Sequence, residues 1–121
     1  MSTSNWTVEL HDDFKPEYDA FSVEVKKVMV QRLKLIEEFG PNLARPYVDT
    51  IKGSKHANLK EFRFDADDGV WRGLFAFDLE RKAIVLVAGD KSGTSEKRFY
   101  RDLIKKAEQR FDKHLKTLKE G

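Results

Sequence analysis

The chain has 121 residues, 40% of them hydrophobic and 36% charged, a length that suits one domain over residues 1–121. Nine Phe, two Trp and three Tyr supply too much apolar area for a disordered chain, and the lack of cysteine excludes disulfides and thiolate metal sites. The net charge of +2 is too small to define a partner, the run Ala83 to Gly89 is too short to span a bilayer, and Met1 to Asn5 lacks the basic-then-apolar pattern of a signal peptide, so a soluble, cytoplasmic protein is expected.

Trp6-Thr-Val-Glu-Leu10 alternates apolar and polar residues and reads as a half-buried strand, ended by Asp12 and Asp13. From Phe14 to Phe39 the period becomes helical, with Tyr18, Phe21, Val25, Val28, Met29, Leu33 and Ile36 on one stripe. Ser22 is a candidate cap, so this stretch is one helix or a short helix followed by a long one; we take the pair. Gly40-Pro41 stops it. Residues 41–57 read as a long connection carrying Arg45, Lys52, Lys55 and His56, and connections of this length inside a compact domain are often functional.

Three strand signals follow: Asn58 to Phe64, Val70 to Phe77, and the continuous apolar run Ala83 to Ala88, which suits a central strand. Asp65 to Gly69 is the first turn and Asp78 to Lys82 the second. After Gly93, Thr94 or Ser95 caps an amphipathic helix with Phe99, Leu103, Ala107, Phe111, Leu115 and Leu118 on one stripe. Its cations Lys105, Lys106, Arg110 and Lys113 are expected to be exposed. The order β-α(α)-β-β-β-α predicts an α+β domain, a small, mostly antiparallel sheet with the helices packed on one face and the other face free for polar work.

Charge is unevenly distributed. Residues 1–40 and 64–89 are net acidic, whereas 41–63 and 90–121 carry +3 and +4, so a fold that joins the last two would build a phosphate-binding surface. Strand alternation puts Glu61 and Arg63 on the face opposite Phe62 and Phe64. With Asp65 opposite Val70, Arg63 falls across from Arg72 and Glu61 across from Leu74. Two arginines directly across a hairpin repel, and a sheet that keeps such a pair offers it an anion. The sequence holds no GxGxxG, P-loop or nucleophile elbow. His11, His56 and His114 are scattered, so no metal and no cofactor are expected.

Gly40-Pro-Asn-Leu-Ala-Arg-Pro-Tyr47, Ile51-Lys-Gly-Ser-Lys-His-Ala-Asn-Leu-Lys-Glu-Phe-Arg63, Val70-Trp-Arg-Gly-Leu-Phe-Ala-Phe-Asp78, Ala83-Ile-Val-Leu-Val-Ala-Gly-Asp-Lys91 and Arg98-Phe-Tyr100 resemble the phage-derived, HigB-like branch of the RelE/ParE toxin superfamily. The similarity runs from about Trp6 to Leu118. It implies a RelE-like fold and the toxin of a type II toxin–antitoxin system: a ribosome-dependent mRNA endoribonuclease held inactive by a helix-turn-helix antitoxin. It also implies catalytic candidates, Glu61, Arg63, Arg72, Lys91 and Tyr100. The basic 41–57 loop and last helix suit RNA through sequence-independent phosphate contacts, with Arg45, Lys52, Lys55, His56, Lys60 and Arg98 as the candidates.

Metal-independent 2′-OH attack would suit those residue types. Glu61 could act as base, Arg63 and Arg72 could hold the phosphate, and Lys91 or Tyr100 could act as acid, with His56 a second candidate for proton transfer. One superfamily fold carries both RNases and gyrase inhibitors, so the alternative is a non-enzymatic gyrase inhibitor or a degenerate toxin that only binds an antitoxin.

Overall fold

The computed structural model describes residues 6–120; the signal-peptide expectation at Met1 to Asn5 lies outside them. The chain forms β1 (Thr7–Leu10), α1 (Lys15–Asp19), α2 (Val23–Phe39), a 3-10 turn (Gly40–Asn42), β2 (Val48–Thr50), β3 (Leu59–Ala66), β4 (Gly69–Phe77), β5 (Lys82–Asp90) and α3 (Glu96–Glu120). The five strands make one sheet in the order β1-β5-β4-β3-β2. β1 runs parallel to β5, and every other pairing is antiparallel.

The helix boundaries follow from local chemistry. Ser22 Oγ accepts the Val25 N–H at 3.1 Å, which separates the two helices and starts α2. The same hydroxyl donates to the Asp67 carboxylate, tying the start of α2 to the β3–β4 turn. Gly40, at φ +56, ends α2 where a Cβ would run into the Trp6 indole. Ser95 Oγ accepts from the Arg98 N–H at 3.2 Å and caps α3.

The β3–β4 hairpin has the expected register: Asp65 faces Val70, Arg63 faces Arg72 and Glu61 faces Leu74. Its turn is tighter than the sequence suggests, because Ala66 pairs with Gly69 and only Asp67 and Asp68 remain, at φ +50 and +60. Two successive positive φ values match the right-handed strand twist, and Asp tolerates them better than most residues. Across the sheet, Gly73 lets the Phe62 ring lie against the β4 backbone, where a Cβ would overlap the ring.

The α+β class, the element order and the mostly antiparallel sheet are as expected. The helices, however, divide between the two faces instead of sharing one. α2 packs Val25, Met29 and Ile36 against Phe62, Phe64, Phe75 and Val85, while α3 packs Leu103, Ala107 and Phe111 against Leu74, Ala76, Ile84 and Leu86. The physical reason lies in β4 and β5, whose central residues are apolar on both faces and need cover on both. The face carrying Glu61, Arg63 and Arg72 is therefore not bare.

Two further differences concern polar residues. The connection 41–57 contains the edge strand β2, paired with Lys60–Phe62 of β3. Arg110 is not exposed: its guanidinium bonds Glu17 at 2.5 and 2.9 Å and the Leu86 carbonyl at 2.8 Å, clamping α1 and β5 to α3. Among the described residues no helix is long and apolar enough to cross a membrane.

Candidate functional site

Four of the five catalytic candidates meet where the N-terminal end of α3 crosses the β3–β4 hairpin. Glu61 is 3% exposed, in mid-strand, with Asp49 of β2 directly across on one side and Leu74 on the other. Its Oε1 accepts from Arg63 Nε at 2.8 Å. The Arg63 guanidinium also reaches Asp49, with Nη2 donating to Oδ2 at 3.4 Å. The same Oδ2 accepts two bonds from Arg45, Nε at 3.0 Å and Nη2 at 2.7 Å, and Oδ1 accepts the Thr50 N–H at 2.8 Å.

Arg72 stands opposite Arg63 and donates from Nη1 to the Trp71 carbonyl at 2.9 Å. Two buried side-chain atoms among the described residues have no hydrogen-bond partner: Glu61 Oε2 and Arg72 Nε. Buried polar groups are nearly always paired, because desolvating an acceptor or donor without a bond costs about 1–3 kcal/mol. The orphan acceptor and the orphan donor sit in neighbouring strands on one face, beside the Tyr100 hydroxyl, a group that can both donate to the carboxylate and accept from the guanidinium.

Tyr100 lies over Glu61 and Arg72 and feels both charges. Burial does most to raise its pKa, the Glu61 carboxylate adds to the rise, and Arg72 opposes it; the phenol is pushed up to about 12. It is therefore protonated throughout the physiological range. The fold favours the phenol over the phenolate, so its contribution to stability is complete below about 10 and lost as pH rises through about 12. A tyrosinate absorbance titration of the folded wild type should show a component near 12 that is absent from Tyr100→Phe. Full ionisation of all tyrosines near their ordinary pKa would contradict the burial of this phenol.

The other charges settle differently. Glu61 holds the Arg63 guanidinium even more firmly protonated than usual. The Asp49 carboxyl lies below the ordinary aspartate range, chiefly through its bond from Arg45 and then the Thr50 N–H. Lys91 Nζ pairs with Glu96 at 3.2 Å at the start of α3.

The basic loop and α3 do come together, but through compensating charges. Glu108 accepts from Ser54 Oγ and the Lys55 N–H, both at 2.9 Å, and Asp112 holds Lys55 Nζ at 2.6 Å and His56 Nε2 at 2.8 Å. Lys55 and His56 thus dock the loop on the helix. Arg45, Lys52 and Arg98 are exposed and Lys60 is half-buried. Among the described residues, no three His, Cys, Asp or Glu side chains gather as a metal ion would require.

Sequence reasoning missed Asp49. Its signal was a lone acid between β-branched Val48 and Thr50, too short a run to show alternation and hidden in what read as a connection.

A mostly antiparallel five-stranded sheet with a charged hairpin face at its exposed end has the RelE fold. It superposes on an arginine-to-alanine double mutant of the E. coli toxin RelE in the free state, with a TM-score of 0.56 and 12% identity over 83% of this chain and 95% of that one. The archaeal RelE–RelB complex from Pyrococcus horikoshii gives 0.52 and 13% over 74% and 98%.

In sequence, residues 16–112 match the family described as phage derived protein Gp49-like, and the chain belongs to that family. It is homologous to two Mycobacterium tuberculosis proteins. It is 41% identical over 93 residues to Putative toxin HigB2, covering 76% of this chain and 46% of that protein. It is 45% identical over 83 residues to Putative toxin HigB3, covering 69% and 70%. The chain thus spans about half the length of the first relative. These likenesses place it in the HigB-like branch of the RelE/ParE superfamily.

Proposed function

We propose that this chain is the toxin of a type II toxin–antitoxin pair, an endoribonuclease that cuts messenger RNA on the ribosome in the cytoplasm. Its family and its HigB relatives support the toxin class. The observation that carries the chemistry is the orphan pair, Glu61 Oε2 and Arg72 Nε, beside the protonated phenol of Tyr100.

RNA can be cut by its own 2′-hydroxyl. The oxygen attacks the adjacent phosphorus, the P–O5′ bond breaks, and the products are a 2′,3′-cyclic phosphate and a 5′-hydroxyl. A base must take the 2′ proton, cations must hold the phosphorane, and an acid must protonate O5′. In this reading Glu61 Oε2 takes the proton. Arg72, with the donors of Arg63 that face away from the carboxylates, holds the non-bridging oxygens. Tyr100 gives its proton to O5′, whose alkoxide is far more basic than a phenolate. Tyr100 suits this role better than Lys91, whose ammonium is engaged by Glu96.

Exposed Arg45, Lys52 and Arg98, with Lys60 and the docked Lys55 and His56, would meet RNA phosphates around this face. A helix-turn-helix antitoxin would silence the chain by covering or distorting the Arg63/Arg72 face, or by barring entry to the ribosome.

Glu61→Gln tests the assignment of the base. On ribosomes carrying a defined mRNA, the variant should bind as wild type does yet cut about a hundredfold or more slowly, in keeping with loss of a general base. Wild-type cutting should leave 2′,3′-cyclic phosphate and 5′-hydroxyl ends. Cut ends bearing a 5′-phosphate and a free 3′-hydroxyl, or a Glu61→Gln variant that cuts at the wild-type rate, would remove this assignment.

A further inference from the structure

The way Arg63 is shared between two carboxylates gives Asp49 a task. Nε and Nη2 form the side-on fork of a guanidinium, the edge that grips one carboxylate through two parallel bonds when nothing competes. Here the fork is split. Nε goes to Glu61 Oε1 at 2.8 Å and Nη2 goes to Asp49 Oδ2 at 3.4 Å. Asp49 is fixed for this by the backbone pairing that sets it directly across from Glu61, by two bonds from Arg45 and by the Thr50 N–H. On the other side of Glu61, Oε2 takes no bond from the arginine beside it and stands near the Tyr100 phenol.

We propose that Asp49 is a positioning residue that draws off one arm of Arg63 and so keeps Glu61 Oε2 open for the 2′-hydroxyl. Without it the fork closes on both oxygens of Glu61, and the atom that should accept the substrate proton is already occupied. Asp49 itself touches no substrate. Arg45 acts one step further out, holding Asp49 in place. This inference rests on the endonuclease reading.

Asp49→Asn keeps the size of the side chain and removes most of its pull on Arg63. The expected result, on ribosomes carrying a defined mRNA, is a fall in kcat of about a hundredfold, comparable to losing the base, with KM held within about twofold. The decisive comparison is made in an Arg63→Lys background. Lysine has no fork and cannot close on both oxygens, so removing Asp49 there should cost little more. A merely architectural Asp49, needed for Arg45 or for β2, would lower activity by the same factor in both backgrounds, and that additivity would overturn the proposal. Asp49→Asn cutting at the wild-type rate would overturn it as well. If Asp49→Asn unfolds, Arg45→Ala takes its place, with a smaller loss that should also vanish in the Arg63→Lys background; a loss that persists there counts against the proposal. A wild-type chain that cuts nothing would overturn the endonuclease reading and this inference together, whereas an active wild type with an indifferent Asp49 sinks this inference alone.

Discussion

Arg72→Ala should fold as the wild type does and cut ribosome-bound mRNA about a hundredfold to a thousandfold more slowly, the usual cost of losing one preorganised donor to a developing oxyanion. Both halves of this expectation come from the same observation. Arg72 Nε is buried without a partner, and Nη1 of its guanidinium bonds the neighbouring Trp71 carbonyl. The aromatic cluster around Phe62, Phe64 and Phe75 lies on the opposite face and does not depend on it. The change even relieves repulsion across the hairpin, where Arg72 faces Arg63. Paired unfolding curves and single-turnover cleavage rates check the two halves separately. An unfolding midpoint well below wild type, or an unchanged rate, would show that Arg72 is structural.

Phe111→Ala has the opposite profile and should cost about 3–5 kcal/mol of stability, as expected for emptying a fully buried aromatic site. Phe111 is 2% exposed and belongs to the α3 cluster together with Leu59, Leu74 and Leu86. Its ring meets the His56 ring edge-on at 5.0 Å and stacks beside His114 at 6.1 Å. Those two histidines are each held by an aspartate, Asp112 and Asp78, so the ring also anchors the 51–57 loop and the turn after β4. Denaturant unfolding measures the loss. A midpoint close to wild type would mean that α3 does not cover this face of the sheet.

What could be read in advance, and what could not, follows from the range over which each signal acts. Ser22 and Ser95 bond to backbone a few residues away, so their capping was legible. The Arg63–Arg72 pairing was legible because a hairpin is local and the turn between Asp65 and Gly69 sets its register. The face chosen by α3 depends instead on contacts between residues far apart. The clue was present in the uninterrupted run Ala83 to Ala88, which a one-sided sheet does not need. Arg110 was misread because a cation on a helix flank looks solvated until Glu17 and the Leu86 carbonyl arrive from elsewhere in the chain. Asp49 escaped for a similar reason: its role exists only once a three-residue strand has paired with β3. Glu61, Arg63 and Arg72 could be put on one face by alternation alone, but the unpartnered Oε2 and Nε are properties of the packed site.

The most direct test is to induce the protein in growing bacterial cells and map new 5′ ends across translated transcripts, with Arg72→Ala and Glu61→Gln in parallel. The expected result is a set of 5′-hydroxyl ends inside coding regions that requires translation, appears with the wild type and is lost with both variants. A wild-type chain that arrests growth without making such ends, while gyrase–DNA complexes accumulate, would contradict the endonuclease assignment and make the chain a non-enzymatic inhibitor.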